Sequence, residues 1–417
     1  MGNTFKKVAL LAVCCLFALS FAGVSHAQAK YTIAVYLDSD NNLDDWAQKD
    51  LNEMMSVGST PELNIVVFWD RADGPAYAYQ VLNGKLKLLD DFMLNGTKLN
   101  GAEPNMGDPA TLKAWVDYTT TNFRSEKYVL VLWDHGDDYR GAMYDSHIPQ
   151  DGFDLLSHQE IVGSLYGTHI DALIYGACVM QMIEVSYEYA ASGLKVDYLL
   201  ANEAYDPMDG YPWDTILGKL VTSLQSATPM SPQQFCRMCV NEYVYYYDNL
   251  GKAYSQAVTL SVLDMSRVTE VANNIKGMLD GMRMDLGNYF NMVNSARSHA
   301  NLPWSENGWD QDSDMKTIFY EIYTKSCDPK TVQKIKPAAV AQVKQYGAVL
   351  KNLLDNPDIL YYKCLKGDKA GYKGIGIFFP SSLNSYQKNS HLYGECYPIM
   401  KFNADIGWLD FLIAYWG

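Results

Sequence analysis

The sequence predicts an α/β protein: a mainly parallel sheet with helices on both faces, extended by a helix-rich C-terminal region. Short, nearly continuous apolar runs alternate with helical patterns through the first half, the signature of parallel strands buried on both faces. Helical periodicity dominates after about Met230. No Gly/Ser linker, fixed-period repeat or low-complexity tract divides the chain.

In chain order, Tyr31–Leu37 (YTIAVYL) is a buried strand, and Leu43, Trp46, Ala47, Leu51, Met54 and Met55 then recur at helical spacing. Leu63–Trp69 is a second buried strand, and Asn83-Gly84 between two alternating runs marks a hairpin. Pro109 after Asp108 opens a helix reaching about Phe123. Tyr128–Trp133 (YVLVLW) is the next strand. Ser157 and Glu160 form a capping box for a helix through Leu165. Asp171–Tyr175 (DALIY) is a strand, Val179–Ala191 a helix and Asp197–Asn202 a strand. Gln233–Leu250, Ser266–Met292 and Lys330–Leu354 are helical, interrupted by strand-like runs at Ala257–Asp264 and Gly374–Pro380. The glycines and proline around the second run suit a buried edge of the same sheet. The expected division is a signal segment over 1–27, a core over 28–230, and a mainly helical region over 231–417 docked on the core and contributing strands.

With 417 residues and 31 tyrosines, the chain can bury a substantial core. A formal charge of −15 argues against nucleic acid as a partner, because phosphate binding needs a basic face. Lys6 and Lys7, the apolar stretch Val8–Ala22, and Ser25-His26-Ala27 before Gln28 predict a secretory signal. The apolar stretch is short for a membrane anchor, and no second span follows. The mature protein is therefore expected to be secreted, periplasmic or on the cell surface. A lipoprotein is disfavoured because Val13 suits poorly the position before a lipid-modified Cys14. A chain of this size needs no disulfide framework. Cys236 and Cys239 lack a zinc-spaced partner pair and are expected on one helix face.

The chemistry centres on two strand ends. Ligands of open parallel sheets bind outside the carboxyl ends of the strands. His135 lies just beyond Tyr128–Trp133, and Cys178 just beyond Asp171–Tyr175, on what could be neighbouring strands. Gly136 follows the histidine and Gly176 precedes the cysteine, permitting close backbone approach. A helix starting directly after Cys178 would favour a thiolate through its dipole, and its first N–H groups would hold an oxyanion. Each residue alone has a plain alternative, a small buried cysteine or a satisfied polar histidine. Together they point to a cysteine–histidine hydrolase.

The segments LWDHGDD, YGACVMQMIEVSYEY and YLDSDNNLDDWAQKDLNEM resemble the clostripain-like cysteine peptidases of the caspase–gingipain–legumain clan. LLANEAYDPMDGYPW, GWDQDSDM, KGIGIFFP and GWLDFLIAYWG extend the likeness over nearly the whole mature chain. The resemblance implies a caspase-like α/β/α sandwich and a secreted endopeptidase with a His135–Cys178 dyad. It also implies a backbone oxyanion hole at Gly136 and Cys178, and basic residues at P1. It implies peptide or protein substrates, no membrane span in the mature chain, a monomer, and no required metal or other cofactor.

Two departures stand out. The family commonly carries aspartate two residues before the cysteine, where it helps grip a guanidinium; here Gly176 stands there, which removes one carboxylate partner and is expected to weaken the preference for Arg or Lys at P1. Glu203, Asp206 and Asp209 are candidates to compensate, Asp206 foremost, with a solvated acidic loop as the alternative. Many relatives mature by cutting after a basic residue between histidine and cysteine, yet Gly141–Leu194 contains no Lys or Arg. Self-cleavage after a basic residue within Gly141–Leu194 is excluded. A catalytically silent binding or surface protein on this scaffold, and a thiol hydrolase of altered specificity such as an amidase, are the alternative functions. Asp310, Asp312, Asp314 and Glu321 imitate a calcium-loop spacing, but Met315 stands where the turn needs glycine. Some relatives respond to calcium. His147, His158, His169, His299 and His391 are expected at the surface or in loops, and the tyrosines of Tyr243–Leu250 in helix packing.

Overall fold

The computed structural model describes residues 28–94, 96–147, 152–250, 257–300, 312–365, 371–390 and 396–417. The signal segment, Gln150, Asp310 and His391 lie outside them. A nine-stranded sheet organises the chain. Its strands are β1 (Ala29–Ser39), β2 (Leu63–Arg71), β3 (Gly74–Leu82), β4 (Lys85–Leu88), β5 (Ser125–Trp133), β6 (His169–Gly176), β7 (Lys195–Ala201), β8 (Val258–Asp264) and β9 (Leu360–Leu365). Their spatial order is β9-β8-β7-β6-β5-β1-β2-β3-β4. β7, β6, β5, β1 and β2 are parallel to one another, and antiparallel strands flank them on both sides.

The strand sequences explain the two covered faces. Along β5, Leu130 and Leu132 enter one core with Trp115 and Phe68, while Val129, Val131 and Trp133 enter the other with Trp213 and Phe235. This is the period of two expected of a strand buried on both sides. The first face is covered by α2 (Pro109–Asn122), α3 (His158–Leu165), α4 (Ile183–Ala191) and α7 (Val268–Arg283). The second is covered by α1 (Asp44–Val57), α5 (Trp213–Leu224) and α6 (Pro232–Leu250). Each fully buried Val, Leu or Phe contributes about 1.5–3 kcal/mol, so these rows hold the strand ends in place. Cys236 and Cys239 are buried on one face of α6.

Four expectations need correction. Gly376–Phe378 does not join the sheet but pairs antiparallel with Asp312–Asp314 in a separate ribbon. The edge beside β8 is taken instead by β9, whose mixed tyrosine and lysine pattern hides a strand. The helix expected over Ser266–Met292 breaks between Arg283 and Leu286, where Asp285 accepts the Lys336 N–H. The helix expected from Lys330 starts at Pro337, since the residue before a proline disfavours helical backbone. His158 is fully buried, bonded to Tyr189 Oη and the Asp138 carbonyl.

Candidate active site

β5 and β6 end side by side, with Trp133 opposite Gly176 and the Asp134 N–H donating to the Gly176 carbonyl at 3.1 Å. Both chains therefore leave the sheet at one edge, two residues before His135 and Cys178. A Cβ at Gly136 would overlap the Cys178 carbonyl oxygen and lie 3.0 Å from Met180 Cγ. The two segments touch backbone to backbone, which only glycine allows. Three non-glycine residues here have left-handed backbone: Asp138 (φ 49°), Met143 (φ 65°) and Val179 (φ 50°). Such conformations cost about 1–3 kcal/mol each and persist where the surroundings enforce them. Val179 is held by its N–H to the Ala204 carbonyl at 2.9 Å, and Met143 by its N–H to the His135 carbonyl at 3.2 Å.

His135 Nε2 lies 2.8 Å from Asn42 Oδ1. With the amide assigned this way, Nε2 carries the proton and Nδ1 keeps a lone pair. Burial lowers the His135 pKa from its ordinary value, favouring the neutral ring. Tyr144 packs edge-on at 6.4 Å between ring centres. A cavity of about 320 Å3 opens beside the ring, lined by His135, Gly136, Asp137, Gly141, Ala142, Tyr144 and Leu155. Asn42 was not singled out from sequence; the Asp-Asn-Asn run after β1 is the signal that carries it.

Cys178 is partly exposed, and its sulfur accepts the Asp206 N–H at 3.3 Å. The expected helix dipole is corrected: α4 begins at Ile183. The residues between are spent on the left-handed turn at Val179, on the Gln181 N–H to the Asn202 carbonyl, and on the Met182–Gly376 bridge. The Asp206 N–H is the donor observed at the sulfur instead.

The four predicted pocket residues separate. Asp206 lies at the cysteine, its carboxylate accepting the hydroxyl of Tyr243. Burial pushes its pKa up to about 7. Tyr243, expected only to pack, thus bonds to this acid as well. Glu203 is 1% exposed; it accepts the Gly374 N–H at 2.7 Å, and burial, then the neighbouring Asp314 carboxylate, push its pKa well above the usual carboxylate range. It braces the chain after β7. Asp209 accepts Lys49 through its carbonyl at 3.0 Å. At Gly176 a Cβ would lie 2.9 Å from Trp133 Cδ1. That indole fills the space beside Gly176 and donates to Asp50 Oδ2 at 2.8 Å, which also accepts Trp213 Nε1 at 3.2 Å.

Of the calcium-like acids, Asp310 lies outside the described residues, and Asp314 and Glu321 are engaged elsewhere. Asp314 caps the helix Met315–Cys327 and accepts the Lys373 N–H, whereas Glu321 is bound to Lys325, His299 and Ser295. His147, His169 and His299 are exposed and paired with Asp40, Asp197 and Glu321.

The clostripain family model matches residues 35–416, and the chain belongs to that family. Clostripain of Hathewaya histolytica is 30% identical over 224 residues, which are 46% of this chain and 42% of that protein. The match thus spans less than half of that relative. The fold matches a secreted C11 cysteine protease from Bacteroides thetaiotaomicron, solved with an irreversible peptide inhibitor. The TM-score is 0.63 at 16% identity, covering 91% of this chain and 99% of that one. An inactive zymogen C11 protease from Parabacteroides distasonis matches at TM-score 0.58 and 16% identity, with the same coverage. The sandwich is therefore the caspase-like fold of C11 proteases.

Two outcomes follow from this geometry. Asn42→Ala should leave the fold intact and lower kcat/KM by about 10- to 100-fold, the scale of a misplaced reacting group; unchanged steady-state kinetics would contradict the orienting role. Gly176→Ala should cost about 1–3 kcal/mol by overpacking against Trp133, read by chemical denaturation. A variant as stable as wild type would show that the indole yields freely.

Proposed function

We propose that the protein is an exported cysteine endopeptidase working through Cys178 and His135, with a preference for basic P1 residues carried by Asp206. The observation that carries this reading is the convergence of His135-Gly136 on Cys178 at the ends of two paired parallel strands. Membership of the clostripain family supports it. Export is supported by the signal-like N-terminus and by the secreted fold relative. Among the described residues no helix is long and apolar enough to cross a membrane.

In this mechanism the thiol proton of Cys178 passes to His135 Nδ1 as the sulfur attacks the scissile carbonyl carbon. The carbonyl oxygen becomes an oxyanion facing the N–H groups of Gly136 and Cys178. Collapse breaks the C–N bond, and His135 returns the proton to the leaving amine. Water, deprotonated by His135, then hydrolyses the thioester and regenerates the thiol. The Asp206 N–H steadies the sulfur throughout, and its carboxylate pairs with an arginine or lysine at P1.

Cys178→Ala and His135→Ala should each abolish peptide hydrolysis while circular dichroism stays unchanged; turnover by the purified Cys178→Ala protein would defeat the assignment. The raised Asp206 pKa sets a pH dependence. Only the ionised carboxylate attracts a cationic P1 group, and below pH 7 its ionised fraction falls about tenfold per unit. The ratio of kcat/KM for arginine over a neutral P1 residue should climb towards pH 7 and level off above it. A ratio flat from pH 5 to 8 would contradict this, since titration of the dyad affects both substrates alike.

A further inference from the structure

The cavity beside His135 takes no part in the chemistry proposed above. Of the residues around the reacting groups, His135 and Gly136 line it, whereas Cys178 and Asp206 do not. It therefore lies on the histidine side of the site, apart from the carboxylate assigned to P1. Its far wall is a small ribbon in which Ala142–Asp145 pairs antiparallel with Asp154–Leu156. Gly136 bridges to Ala142, and the Asp137 N–H donates to the Gly141 carbonyl at 2.9 Å. The ribbon is thus tied to the histidine segment and moves with it. Its register shifts between Ala142 and Tyr144, around the left-handed Met143. A bulge of this kind re-aims a side chain, and here Tyr144 meets both the His135 ring and the cavity.

The lining offers apolar contact. Ala142, Tyr144 and Leu155 face the cavity. Asp137 is the one carboxylate among the lining residues, and Arg140 neutralises it at 2.9 Å. Burial favours the neutral form of the His135 ring. Phe153 extends the wall outward: it stacks on Tyr144 with ring centres 5.0 Å apart, yet is 55% exposed. An aromatic ring left in water beside a cavity is apolar surface that a ligand can cover.

We infer that this cavity receives the side chain on the leaving side of the scissile bond, P1′, and selects an apolar one such as leucine, methionine or phenylalanine. The inference rests on the dyad proposed above and follows from connectivity. His135 delivers its proton to the leaving amine nitrogen. That nitrogen is bonded to the P1′ Cα at about 1.46 Å, so the P1′ side chain branches next to the His135 ring. The P1 side chain branches on the other side of the attacked carbonyl, towards Asp206. At about 320 Å3 the cavity stands at the small end of ligand sites, which suits one side chain rather than a run of residues.

The test uses the purified protein and internally quenched peptides with arginine at P1, varied at P1′ and, in a second set, at P2. Peptides with leucine, methionine or phenylalanine at P1′ should exceed those with glycine or aspartate by about tenfold or more in kcat/KM, the discrimination a hydrophobic pocket supplies. Phe153→Ser, at an exposed side chain, should narrow the ratio of phenylalanine to glycine. Leu155→Glu should invert the profile, with lysine and arginine at P1′ gaining about tenfold or more over leucine through a charge-assisted contact. A damaged fold or a displaced His135 would lower all rates without producing that gain. A flat P1′ profile, or an apolar preference found at P2 instead, would overturn the inference and leave the dyad standing. So would P1′ profiles that both variants retain unchanged. A wild-type protein that cleaves none of the peptides would defeat the peptidase reading itself, and the subsite with it.

Discussion

The pairing of Trp133 with Gly176 is the contact on which the site depends. It ends β5 and β6 at the same level, so that His135 and Cys178 emerge together. Gly136 then lets one backbone press on the other. None of this rests on a hydrogen bond between the two side chains: His135 Nε2 is bound to Asn42, and the Cys178 sulfur to the Asp206 N–H. Each partner of the proposed dyad is held by its own strand end and its own neighbour.

Rigidity on this edge comes from the sheet beneath. Parallel strands buried on both faces cannot slip register without turning every side chain to the wrong layer. That fixed frame can support left-handed backbone at Asp138, Met143 and Val179, and it can keep several carboxylates out of water. Asp206 links two parts of this edge: its side chain meets Tyr243, while its backbone meets the sulfur. On the proposed reading, nucleophile position and P1 recognition would be joined in one residue.

Much of this was legible in the sequence, because strand ends leave a local mark. The apolar run Tyr128–Trp133, stopping at Asp134-His135-Gly136, announced both the strand and its exit, and Asp171–Tyr175 did the same for Cys178. The sheet edge was not legible, since β9 mixes Tyr361, Tyr362 and Lys363 and becomes a strand only by pairing with β8. The start of α4 is not legible either, because Val179–Met182 is as apolar as a helix, while tertiary hydrogen bonds hold it in a turn. The roles of Asn42, Tyr243 and Trp133 arise from contacts over long sequence separations, which spacing does not encode. Among the acids, sequence could not tell a braced Glu203 from a site-facing Asp206, because only burial and partners distinguish them.

The central claim is that a single half-buried carboxylate at the cysteine selects the P1 residue. Asp206→Asn tests it most directly, because it removes the charge and keeps the backbone N–H that meets the sulfur. Cleavage of a positional peptide library by wild type and variant should show the preference for arginine and lysine over neutral P1 residues falling about 10- to 100-fold, the loss of one charge-assisted hydrogen bond, with neutral peptides still cleaved. An active variant with an unchanged P1 profile would contradict the account.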